Sequence, residues 1–127
     1  GPLQEKVKIT AGKLSSNDNI DLADGNVHYF TTQESTTSTP NLRVNSSVTL
    51  DSVMAVGETV AVTIITTAAA AGYSAALQIH GNTQTVNWVG GSAPSAGGSS
   101  GVDIYNYTII KTGSSAFTVI GNLTKTS

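Results

Sequence analysis

No cysteine occurs in the 127 residues, which removes disulfide staples, thiolate metal sites and a Cys nucleophile together. Charge is nearly as scarce. Asp, Glu, Lys and Arg make up 11% of the chain, the net charge is −2, and Lys and Arg stand singly. Nucleic-acid backbones demand clustered positive charge, so no nucleic-acid partner is expected. No apolar run approaches the roughly 18 to 20 residues of a membrane-spanning helix, and the opening lacks a basic-then-apolar signal pattern, so membrane insertion is not expected either. Aromatics reach only 6%, with a single Trp. What is abundant is Ser and Thr, which together outnumber all charged residues. Hydroxyl-based solubility with little Glu or Lys suits β-sheet surfaces, where Thr packs well.

The length fits one domain able to bury roughly two-thirds of its unfolded surface. The opening Gly1-Pro2-Leu3 reads as the remnant of a protease-cleaved tag, leaving 4–127 as the domain. Apolar and β-branched residues recur at period two or in short runs: Val7 to Ala11, Val27 to Thr31, Ser47 to Val53 with Val48, Leu50 and Val53 inward, Glu58 to Thr67, Ala75 to Gly81, Gln84 to Gly90, Val102 to Thr112, and Ser115 to Asn122. About eight strands at all-β spacing predict an antiparallel β-sandwich of jelly-roll type.

Turn chemistry falls between these runs. Gly25 in "ADGN" and Gly81 in "HGNT" suit turns that need positive φ, so Ile79 to Val86 is expected to be a hairpin. Lys111 to Phe117 is a second hairpin. If both form, the C-terminal half is a meander broken only by the glycine-rich stretch after Trp88. Thr66 to Leu77 holds four consecutive alanines, yet it is short and interrupted by Gly72, so a turn or a single helical turn at a sheet edge is expected. Thr31 to Asn41 is read as an exposed loop, and no internal repeat is visible.

Candidate chemistry is thin. "VGGSAPSAGGSSG" (Val89 to Gly101) lacks the Lys and following helix of a phosphate cradle and the βαβ context of a dinucleotide fingerprint. His28 and His80 lack ligand spacing, and Asp18, Asp21 and Asp24 miss the calcium-loop pattern. No nucleophile elbow or facing carboxylate pair is recognisable. Neither catalytic residues, nor a cofactor, nor a metal is expected. Asn45, Asn106 and Asn122 open glycosylation triplets of a kind that arises by chance in such a composition. Tyr105 and Tyr107 share one face of a strand and with Tyr73 are candidates for glycan or interface contact; core or interface packing is the stronger reading.

The stretch "VNWVGGSAPSAGGSSGVDIYNYTIIKTGSSAFTVIGN" (Val86 to Asn122) resembles a module of tail-fibre and other virion structural proteins of tailed bacteriophages, in particular cyanophage-like ones. Trp88, Gly90, Gly91, Ala93, Pro94, Asp103, Tyr105, Tyr107, Thr112, Gly113 and Phe117 carry the likeness, while the ending "FTVIGNLTKTS" departs from it. The resemblance implies a viral structural protein located in the virion. It would be a tail fibre or capsid appendage acting by assembly and surface display in host attachment, with itself as a homotrimer and other virion proteins as partners. On this reading Trp88, Gly90, Gly91 and Pro94 form a structural anchor. The alternatives are an adhesin recognising a host surface glycan and, less favoured, a polysaccharide-degrading enzyme.

Overall fold

A computed structural model describes residues 3–127; the tag remnant read at Gly1 and Pro2 lies outside the described residues. Ten strands form: β1 (Val7–Thr10), β2 (Asn19–Asp21), β3 (Val27–Gln33), β4 (Asn41–Arg43), β5 (Thr59–Thr67), β6 (Leu77–Ile79), β7 (Asn82–Gln84), β8 (Val86–Trp88), β9 (Val102–Gly113) and β10 (Ala116–Lys125). One short α-helix among the described residues, α1 (Leu50–Val53), separates β4 from β5.

The strands build two mixed sheets, one in the order β1-β3-β5-β9-β10-β8 and the other β2-β4-β6-β7. Through β6 the chain alternates between them. β1, β3 and β5 stack in parallel in the larger sheet while β2, β4 and β6 stack in parallel in the smaller one. The first half is therefore wound as three coils. The expected antiparallel jelly roll is corrected on this point, because five of the eight strand pairings run parallel. The coils are unequal in length: Val7 aligns with Val27, and Val27 with Thr63. Hence no sequence period betrays them.

Each coil contributes to one core. Ile20, Leu42 and Ile79, one from each successive strand of the smaller sheet, are buried against Phe30, Val62, Ile64, Tyr105, Tyr107 and Ile109 of the larger. Full burial of one such aliphatic side chain is worth about 1.5–3 kcal/mol. Three-residue strands such as β2 and β4 persist because that burial, rather than local propensity, holds them. Arg43 and Asp21, aligned in register, close the same pair with an ion pair at 2.5 Å.

Other expectations resolve in different ways. The Ile79 to Val86 hairpin forms, with His80 and Gly81 both at positive φ (46° and 79°). The β9–β10 hairpin forms too. The C-terminal half is not a meander, however: β7 stays in the smaller sheet, and β8 crosses to the larger one to pair parallel with β10. Ser47 to Val53 is no strand. The Thr49 hydroxyl accepts from the Ser52 backbone N–H at 3.1 Å and caps α1 instead, as N-cap chemistry favours. The segment read as an exposed loop, Thr31 to Asn41, carries the end of β3 and the buried residues Glu34 and Pro40. No helix of the described residues is long and apolar enough to cross a membrane.

Candidate functional site

The crossing from Trp88 to Val102 leaves the edge of the larger sheet and returns to its middle. Trp88 aligns with Gly121 on β10, which aligns with Tyr107 on β9. The half-buried indole reaches across this bare position to meet the Tyr107 ring edge-on, with centroids 6.2 Å apart. A Cβ at Gly121 would lie 3.0 Å from Trp88 Cζ3 and 2.8 Å from Val86 Cγ1, so glycine there is a packing requirement. Val89 N–H donates to Gly121 O and Gly91 N–H to Trp88 O, both at 2.9 Å. Gly90 and Gly91 then turn the chain outward at φ 88°, a region that L side chains reach only under strain. Trp88, Gly90 and Gly91 thus sit at one corner, and the half-buried Pro94 follows in the exit loop.

The far end of the loop is pressed onto the Ala68–Gly72 turn. Gly97 N–H donates to Ala70 O at 2.9 Å, and a Cβ on Gly97 would stand 2.3 Å from Ala69 O. Gly98 N–H donates to both carboxylate oxygens of Asp103, each at 3.0 Å. Asp103 is fully shielded from solvent. A buried carboxylate is costly unless hydrogen-bonded, so the Gly98 contact explains both the aspartate and the glycine. Gly72 is equally constrained, since a Cβ there would fall 2.3 Å from Glu34 Cβ.

Tyr105 and Tyr107 are each 1% exposed and lie nearly parallel, with centroids 6.4 Å apart. The Tyr105 hydroxyl accepts from Ser74 N–H at 3.0 Å, and burial pushes its pKa up to about 12. Burial raises Tyr107 further still. Its hydroxyl has no hydrogen-bond partner among the described residues, like Glu34 Oε1 and Thr66 Oγ1. The other Glu34 oxygen, Oε2, accepts from Leu14 N–H at 2.6 Å. Neither Tyr105 nor Tyr107 presents a ring to a ligand. Tyr73, half-buried, lines an open groove with Asp18, Ser38 and Thr39.

The two histidines stay apart in role. His28 is buried, its Nε2 2.9 Å from Gly25 O, while His80 is exposed at the hairpin tip. No group of three or more His, Cys, Asp or Glu among the described residues is placed to hold a metal ion. Sequence reasoning missed Lys111. Its ammonium, buried under α1, donates to Asp51 O and Met54 O at 2.8 Å and pairs with the Asp51 carboxylate at 2.9 Å. The alternation of β9 did place Lys111 inward, which was the available signal.

Compared with known proteins, the chain matches no family model, no curated protein and no solved structure. The likeness to phage virion modules therefore rests on the residues quoted for it.

Proposed function

We propose that the chain is a non-enzymatic structural module of a phage virion, part of a tail fibre or capsid-attached appendage, acting by self-association, docking onto other virion proteins and surface display. One observation carries this reading: several of the most distinctive residues of the resemblance are packing residues here. Trp88 packs on Tyr107 across Gly121. Asp103 secures the loop through Gly98, and Tyr105 and Tyr107 fill the core. A stretch so fully committed to holding two sheets and a crossing together supports scaffolding over chemistry. Immunogold electron microscopy of virions from the phage whose genome encodes the chain tests it. Label on a fibre or appendage is the expected result, and unlabelled particles overturn the proposal.

The adhesin reading keeps one foothold, the Tyr73 groove, where an aromatic ring stands beside hydroxyls and a carboxylate. That combination suits a sugar, with stacking on one side and hydrogen bonding on the other. Saturable binding on a glycan array, lost in Tyr73→Ala, is the outcome that would favour it.

A further inference from the structure

No strand of the six-stranded sheet points a charged side chain outward. Register fixes which positions face outward. Ile9 on β1 aligns with Tyr29 on β3, Tyr29 with Ile65 on β5, and Ile65 with Ile104 on β9. This apolar row crosses four adjacent strands and ends at Ile9, which is 64% exposed. Around it the outward positions of β5, β9 and β10 are threonines, asparagines, valine, alanine and further isoleucines, among them Ile120 at 40% exposure. Every Asp, Glu, Lys and Arg of the chain lies elsewhere: inward on a strand, in the smaller sheet, at a strand end or in a connection. Glu5 and Lys6, which precede β1, are the exception: they line a groove together with Val27, Thr59, Ala61 and Thr63.

We propose that this face is a self-association surface on which a second copy of the chain packs, sheet against sheet, about a two-fold axis. The inference rests on the assembly reading above and names the surface it would use. Three arguments select the occupant. Strands that point no ion outward can be covered without stranding an unpaired buried charge on the sheet. A partner with a charged face would lack complements here, whereas an identical face is self-compatible, as an isologous contact requires. The area is also sufficient. Six strands about 4.8 Å apart, with some 25 Å of strand length along the longer members, give roughly 600 Å² per copy, or about 1,200 Å² in all. That exceeds the roughly 1,000 Å² a specific interface needs. An isologous contact through one face closes at two copies, in place of the threefold arrangement that the resemblance implies.

Sedimentation equilibrium of the full chain over a wide concentration range is the test. Ala61 and Thr108 are aligned on neighbouring central strands, face outward and are exposed, so a lysine at either place is tolerated by the monomer. Wild type is expected at twice the chain mass. Ala61→Lys and Thr108→Lys are expected at the single-chain mass with unchanged thermal melting in dilute solution. Thr83→Lys, on β7 of the other sheet, should remain dimeric. A wild type that is monomeric throughout, a trimer, or a dimer surviving both outward lysines overturns the proposal. Should either lysine variant fail to fold, the cysteine-free chain permits a second reading: Ala61→Cys should form inter-chain cross-links with a bifunctional thiol reagent while Thr83→Cys does not, and equal cross-linking overturns it. A monomer alongside gold-labelled virions would remove this interface and leave the virion reading standing.

Discussion

Trp88 occupies the space that Gly121 leaves empty, reaching over its bare α-carbon to meet Tyr107 on the far strand. Both partners are needed. Gly121→Val would drive a branched side chain into the indole and Val86, and overpacking of this kind costs about 1–3 kcal/mol. Trp88→Ala removes the ring and should cost ~3 kcal/mol, the low end for a truncated Trp, since the indole is only half-buried. Urea unfolding of the two variants checks this. A Trp88→Ala midpoint equal to wild type would show that the corner is not anchored by its tryptophan.

Glycines of the crossing and of the turn it packs on include two kinds that denaturation can separate. Gly72 and Gly97 have no room for a Cβ, with neighbours at 2.3 Å in each case. Gly90 and Gly91 face open space and are glycine because of φ 88°. Gly97→Ala is therefore expected to cost ~3 kcal/mol or more through forced backbone displacement. Gly90→Ala should cost only ~1–2 kcal/mol of backbone strain. Equal losses at the two sites would contradict the distinction.

Much of this is legible in the sequence where the signal is local. The alternation of Val102 to Thr112, the Gly81 turn and the final hairpin all stand as the pattern suggests. The rest depends on distant partners. Asn19–Asp21 and Asn41–Arg43 each bury one aliphatic residue, too little for a period to show. They are strands only because Ile20, Leu42 and Ile79 stack. Parallel pairing is equally hidden, since through β6 the chain returns to each sheet by way of the other sheet rather than through a long crossover helix. Asp103 and Gly98 find each other across a loop whose course composition alone does not define.

His28 gives the fold a dependence on pH. Burial lowers its pKa below 6.5, against the opposing pull of the Gly25 carbonyl, Asp21 and Asp24. Between the two pKa values the unfolded chain holds a proton that the folded chain does not, so stability rises with pH in that window. Stability is full above about pH 6.5 and is lost as pH falls through the folded value. In His28→Gln, which retains an N–H donor for Gly25 O, chemical denaturation should show a flatter profile across the same window. Asp51 acts in a separate, more acidic range. The Lys111 hydrogen bond, followed by that from Ser115, lowers its pKa below 3.8, so its contribution is present above that value and disappears as pH falls through the folded one.

The paired tyrosines make opposite predictions from one chemical change. Tyr105→Phe deletes the acceptor of the buried Ser74 N–H, and an unsatisfied buried donor costs about 1–3 kcal/mol. Tyr107→Phe deletes a hydroxyl that has no hydrogen-bond partner among the described residues. Removing a buried polar atom without a partner relieves its desolvation, so stability should hold or rise by up to ~1 kcal/mol. The stacked rings and the edge contact to Trp88 survive in both variants, so packing is matched and the hydroxyls alone are compared. Unfolding free energies that order Tyr107→Phe above Tyr105→Phe would support the assignment. The reverse order would mean that the Tyr107 hydroxyl, not the Tyr105 one, carries the hydrogen bond that fixes this end of the core.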